Sequence, residues 1–290
     1  MKTILILTDF SENATHAAIS SVMLSEKLHA NLLLLNNITG IPVTPYYLGG
    51  GLVAEEASWL VEESKKNLKK LTESLEPVIA RLDPEQHKPT VHTQIEEGSL
   101  GENITAILDQ KNIEMVVIGG KTGSSFDHIL LGSDTLSVIK HSNRPVLVVP
   151  FEADFKKLKK VVFATDFNEA DINAMHFLVK LGKQFDFQLE IVHVSLIGEN
   201  DKHDNDKETR FLSKVDKLKY PKIVYKHIRG KDVIERLNRF CEETKADVLA
   251  LVHYSHSFFL RILQDSHTQK ALSSQNVPLL VFPAGMEEKV

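Results

Sequence analysis

The chain has 290 residues, 42% hydrophobic and 25% charged, with a net charge of −5, which suggests about two domains of ordinary globular composition. The acidic balance and the lack of a basic run argue against nucleic acid as a partner, and the lack of any apolar run of about 18 residues argues against a membrane. The single Cys241 excludes an internal disulfide framework, and the brief apolar run between Lys2 and Asp9 is too short for a secretory signal, so a cytoplasmic protein is expected.

Thr3 to Leu7 is a run of branched apolar residues, the pattern of a parallel strand buried on both faces. It ends at Thr8-Asp9-Phe10-Ser11, where Ser11 is placed to cap a helix from Glu12 to His29. Glu12 falls in the first turn, where the dipole favours negative charge, and Ala14, Ala18, Val22 and Leu28 give an apolar stripe. Leu32 to Leu35 is a second buried strand. Ile38 to about Ala54 holds Pro42, Pro45 and Gly49-Gly50-Gly51 around Tyr46 and Tyr47. It is expected to be a long irregular loop, either a lid or contact surface or a poorly ordered excursion. A helix from about Ala54 to Arg81 follows, then a strand from Thr90 to Ile95, a turn at Gly98-Ser99, a helix from Glu102 to Gln110 and a strand from Met115 to Ile118.

The next stretch carries the chemistry. Gly119, Gly120 and Gly123 follow the strand, and Gly132-Ser133 opens a helix running to about His141. Glycine lets a backbone turn tightly and lets a ligand come close. Ser133 is a good N-cap, and the free N–H groups of a first helical turn suit a phosphate. The same glycines also fit an ordinary strand–loop–helix turn. Gly120-Lys121-Thr122 resembles the end of a P-loop, but the glycine that motif needs five residues before Gly120 is Met115. Arg144-Pro145 leads into a last strand, Val146 to Val149, closed by Pro150.

The pattern then repeats. Val161 to Asn168 repeats Leu5 to Ser11, with Asn168 replacing Ser11 as the cap. Leu189 to Val194 answers Leu32 to Leu35, Lys222 to Ile228 answers Thr90 to Ile95, Asp247 to Val252 answers Glu114 to Ile118, and Val277 to Phe282 answers Arg144 to Val149. The offset is 157 at the two aspartates (166 − 9) and 132 at the two glycines (230 − 98), so the second copy is shorter by 25 between them. Internal duplication with alternating strands and helices predicts two parallel-sheet α/β domains, at 1–150 and 159–285, joined by a charged linker.

With these residues assembled, the chain resembles a tandem universal stress protein. The resemblance rests on Thr8-Asp9-Phe10-Ser11, the Gly98 turn, Val-Ile-Gly119, Ile-Leu-Leu-Gly132-Ser133 and Ser-Asn-Arg-Pro-Val-Leu-Val-Val149. It implies an α/β fold of two doubly wound five-stranded parallel sheets, each in the order 3-2-1-4-5. It also implies pairing through the last strands, here Val146–Val149 and Leu279–Phe282, as an intrachain pseudo-dimer. A homodimer of the two-domain chain is left open. The family's nucleotide loop is written Gly, two residues, Gly, nine residues, Gly, then Ser or Thr. Gly119, Gly132 and Ser133 match it, while Thr122 falls on the middle glycine and Gly123 one place late. Thr122 would then need a backbone conformation that glycine takes freely and a β-branched residue does not. Asp134 beside Ser133 could cap the helix or repel phosphate.

The resemblance implies a role for each residue. Asp9, flanked by Thr8, would contact ribose or adenine, unless it is only a cap or turn residue. Asn37 would sit near the base. Ile118 and Gly119 would line the adenine and ribose edge. Thr122 and Gly123 would approach the phosphates by backbone, and Gly132, Ser133 and Thr135 would hold phosphate at the helix start. The second copy has no glycine between Leu251 and Ser266; Val252 stands for Gly119 and Asp265 for Gly132, with Phe258 and Phe259 adding bulk. No nucleotide is expected there. His253, His256 and His267 have no recognised zinc spacing.

No nucleophile–base pair, metal cluster or cofactor-anchoring lysine is visible, so any enzymatic role is at most a slow ATPase. The leading expectation is a stress-response regulatory protein that binds ATP, AMP or a related adenine nucleotide in the first domain only, with Mg²⁺ if at all on the phosphates. The other is an interaction or scaffold protein, with an unidentified protein partner and no nucleotide in either domain.

Overall fold

The branched apolar runs of both halves become parallel strands, because a strand covered on both faces needs apolar side chains on both sides and a ladder partner for each backbone group. The computed structural model describes residues 1–39, 50–122, 129–130, 132–151, 153, 155, 158–198, 205–254 and 277–286. In the first half the elements are β1 (Lys2–Leu7), α1 (Glu12–Leu28), β2 (Ala30–Ile38), α2 (Gly50–Ala80), β3 (Val91–Glu97), α3 (Leu100–Gln110), β4 (Ile113–Gly119), β5 (Lys121–Thr122), β6 (Ile129–Leu130), α4 (Ser133–His141) and β7 (Val146–Val149). The second half has β8 (Lys160–Ala164), α5 (Glu169–Phe185), β9 (Gln188–Leu196), α6 (Asn205–Asp216), β10 (Ile223–Gly230), α7 (Val233–Thr244), β11 (Val248–His253) and β12 (Leu279–Pro283).

Ten strands form one sheet in the order β10-β9-β8-β11-β12-β7-β4-β1-β2-β3. Each half therefore has the 3-2-1-4-5 order, with its own strands parallel. The halves meet where β12 runs antiparallel to β7, Leu279 opposite Val148 and Val281 opposite Val146. That joint covers two apolar strand edges that would otherwise be open to other chains. Side chains alternate across the sheet. Ile4, Ile6, Leu32 and Leu34 pack in one core with α1, α2 and α5, while Leu5, Leu7, Leu33 and Leu35 pack in the other with α3, α4 and α7.

Local chemistry sets the helix starts. The Ser11 hydroxyl accepts from the Ala14 N–H at 3.3 Å and caps α1, whose end is closed by His29 in the left-handed region (φ 50°). At α5 the Asn168 N–H donates to the Asp171 carboxylate at 3.2 Å, a capping-box contact. Two expectations are corrected. Ile38 belongs to β2 and Gly50 to Ala54 to α2, so the irregular segment is shorter than 38–54. Helix propagation from a 31-residue element carries its leading glycines at about 1 kcal/mol each. Pro42, Pro45, Tyr46 and Tyr47 lie outside the described residues. The linker, read as merely charged, buries Ala153, Phe155 and Leu158 in the core that holds α1 and α5.

Candidate functional site

The carboxyl ends of β1, β2 and β4 stand side by side, with Leu7 opposite both Leu35 and Ile118. The chain winds outward from β1 in one direction and from β4 in the other, and open parallel sheets take ligands at such a reversal. A cavity of about 180 Å³ opens there. Of the residues expected from the sequence, Thr8, Asp9, Asn37, Ile118, Gly119 and Thr135 line it. Gly132 and Ser133 start the adjoining helix without lining the cavity.

The tip of β1 is held by its own side chains. The Thr8 N–H donates to the Leu35 carbonyl at 2.9 Å, and the Thr8 hydroxyl oxygen accepts from the Phe10 N–H at 3.0 Å. Phe10 takes a left-handed conformation (φ 63°), which turns the chain from strand to helix and leaves Asp9 exposed on the cavity wall. Asp9 Oδ1 accepts from the Ser11 N–H at 3.0 Å, so this carboxylate shapes the turn as well as facing the cavity. The Asn37 amide is engaged within the fold: Nδ2 donates to the Gly98 carbonyl at 3.0 Å, and Oδ1 accepts from Asn103 at 2.7 Å.

Several lining residues were not singled out from the sequence. Asn36 donates to the Thr8 carbonyl at 2.8 Å and accepts from the buried Ser64 hydroxyl at 2.8 Å, tying α2 to the tip of β1. Asn13, in the first turn of α1, donates to the Gly120 carbonyl at 2.6 Å. This contact depends on Gly119. A Cβ there would lie 2.7 Å from the Asn13 carbonyl carbon and oxygen, so only glycine lets α1 sit this close to β4. The signal in the sequence was position alone: Asn13 opens the helix that follows β1.

Around α4 the structure corrects two readings. The cap is Gly132, not Ser133, because the Gly132 carbonyl already accepts from the Leu136 N–H and so begins the helix. Among the described residues no side chain caps the first-turn N–H groups, and the Ser133 hydroxyl instead donates to Asp134 Oδ1 at 3.3 Å. Thr122 lies in β5, paired with Ile129 of β6 in a two-stranded antiparallel ribbon. It therefore needs no glycine-like backbone, since extended structure suits a β-branched residue. Gly123 lies outside the described residues.

The second half carries different side chains at the matching positions. The two registers place His193 at the position of Asn36, Val252 at that of Gly119 and Tyr254 at that of Lys121. Asp171, in place of Ala14, is 1% exposed. Its Oδ2 accepts from the Thr165 hydroxyl (2.6 Å) and from the N–H groups of Asp166 (3.3 Å) and Asn168 (3.2 Å). Its Oδ1 accepts from the Tyr254 hydroxyl at 2.6 Å. Burial pushes the Asp171 carboxyl above its ordinary pKa, with these hydrogen bonds pulling the other way. Burial also pushes Asp166 up, opposed by His193, and pushes the Tyr254 phenol far up. Asp265, Phe258, Phe259, His256 and His267 lie outside the described residues. Among the described residues, no group of three His, Cys, Asp or Glu could hold a metal, and no helix is long and apolar enough to cross a membrane.

A doubly wound five-stranded parallel sheet, repeated once in the chain, defines a tandem α/β protein. The family model for the universal stress protein family matches residues 1–150 and 157–283, and the chain belongs to that family. A universal stress protein from Synechocystis sp. is 24% identical over 97% of this chain and 100% of its own length. One from Methanocaldococcus jannaschii is 34% identical over 51% of this chain and 94% of its own. The crystal structure of a universal stress protein from Archaeoglobus fulgidus superposes with a TM-score of 0.69 at 17% identity, covering 98% of each chain, and so shares the fold.

Proposed function

We propose that this chain is a cytoplasmic stress-response regulator that binds an adenine nucleotide, ATP or AMP, in its first domain alone. The difference between the two crevices carries the reading. Thr8, Asp9, Ala14, Gly119 and Thr135 border a cavity, whereas in the second half a buried Asp171, bonded to Tyr254, stands at the position of Ala14. Asp9 accepts from ribose hydroxyls, Asn37 borders the base end, and Ile118 gives the base an apolar wall. Gly132, Ser133 and Thr135, with the first-turn N–H groups of α4, hold phosphate, and the backbone of Thr122 and Gly123 follows the phosphate chain. Mg²⁺ accompanies the phosphates. The sequence-derived limits, 1–150 for the binding domain and 159–285 for the second, divide the roles. The second domain covers the β7 edge and binds nothing in its crevice.

The test is mass analysis of small molecules released on denaturing freshly purified protein, with Gly132→Asp as control. About one adenine nucleotide per chain is expected from the wild type, for a ligand held tightly enough to survive purification, and none from the control. A blank, with no heat in calorimetry on adding ATP, AMP or adenosine, overturns the reading in favour of a scaffold that meets protein partners only.

A further inference from the structure

The phosphate end of the cavity carries a charge that the nucleotide reading does not explain. Asp134 is the second residue of α4, it lines the cavity, and the Ser133 hydroxyl holds its Oδ1 at 3.3 Å. A helix start attracts anions through its free N–H groups and an effective charge of roughly +0.5. A carboxylate in that same first turn offsets the attraction. Among the described residues lining the cavity there are two carboxylates, Asp9 and Asp134, and no Lys or Arg. Each phosphate added to a bound nucleoside therefore brings negative charge towards a fixed negative charge.

We infer that Asp134 sets the ligand specificity of this site, ranking adenosine and AMP above free ATP. The inference rests on the adenine-nucleotide reading and deepens it. Asp9, on β1, faces the ribose and acts on all three ligands alike. Asp134 faces the phosphates and acts on them in proportion to their charge. Chelation of ATP by Mg²⁺ offsets part of this repulsion, so the full chain takes ATP mainly as its Mg²⁺ complex.

The experiment is isothermal titration of the full chain with adenosine, AMP and ATP at low salt in EDTA. It compares wild type with Asp134→Asn and Asp134→Glu. In Asp134→Asn the affinity for ATP rises about tenfold (~1.4 kcal/mol) while that for adenosine is unchanged. Asp134→Glu keeps the wild-type ranking, since it keeps the charge. Added salt narrows the wild-type gap between ATP and adenosine, because it shortens the Debye length, to about 3 Å at 1 M, and so weakens the repulsion. An ATP-to-adenosine affinity ratio that is the same in wild type and Asp134→Asn overturns this inference and leaves the nucleotide reading standing. No heat from any of the three ligands with either protein overturns both.

Discussion

Replacing Gly119 with valine, the residue that the second half carries at the matching position, forces α1 away from β4. A Cβ at 119 would meet the Asn13 carbonyl carbon and oxygen at 2.7 Å and the Ala14 nitrogen at 2.8 Å. These are backbone atoms, so no side-chain rotation relieves the overlap and the first turn of α1 has to move. Overpacking of this kind costs about 1–3 kcal/mol. The 2.6 Å Asn13–Gly120 hydrogen bond breaks as the turn moves, and its loss adds about 1 kcal/mol. A total of about 3 kcal/mol lowers the melting temperature of the first domain by roughly 6–12 °C for a unit of this size. Differential scanning calorimetry reads that shift directly. Nucleotide titration reads the second effect, because the moved turn carries Asn13 and Ala14, both on the cavity wall. A Gly119→Val protein that melts within about 1 °C of wild type, or that binds nucleotide unchanged, refutes the argument that close helix–strand approach shapes the crevice.

Two further outcomes follow from buried polar groups. Ser64→Ala leaves the Asn36 carbonyl oxygen without its buried donor and lowers stability by about 1–2 kcal/mol in urea unfolding; a change below about 0.3 kcal/mol would show that Ser64 does not hold α2 to the tip of β1. Burial raises the Asp171 pKa above its unfolded value of 3.8, so the folded second domain holds this proton more tightly than the unfolded chain. That contribution is full below about pH 3.8 and is lost as pH rises through the raised folded value. Relative to Asp171→Asn, the wild type therefore loses stability as pH climbs from about 4 towards neutrality; parallel stability–pH curves for the two proteins contradict this.

The sheet could be read from the chain because its signals are local. Thr3–Leu7 and Val161–Ala164 are apolar on both faces, which only a covered parallel strand satisfies, and the repeat of Thr-Asp-Phe after each fixes the register of the two halves. The β7–β12 joint was expected from the family resemblance, and the two short apolar, proline-bounded runs agree with it. What escaped depends on neighbours far apart in sequence. Asn13 reaches across 107 residues to Gly120, and Tyr254 across 83 to Asp171. Asn36 was not singled out, because its buried partner Ser64 lies 28 residues away in sequence. The β5–β6 ribbon is too short to leave a pattern, so Thr122 read as a misplaced loop residue. Ser133 lost the cap to Gly132 because the choice between adjacent residues is made by a single backbone hydrogen bond.

The antiparallel joint between β7 and β12 also frees the two halves from one another. In a pair of identical separate subunits, every substitution appears twice, and the association depends on concentration. Here the partner is tethered by a short packed linker, so the joint forms at a fixed effective concentration and survives dilution. The residues that make the joint, Val146 to Val148 and Leu279 to Val281, are separate from Asp171 and Tyr254 at the strand ends of the second half. One half has thus been at liberty to drift at its crevice while keeping its grip, and the chain is in effect a covalent heterodimer written in one gene.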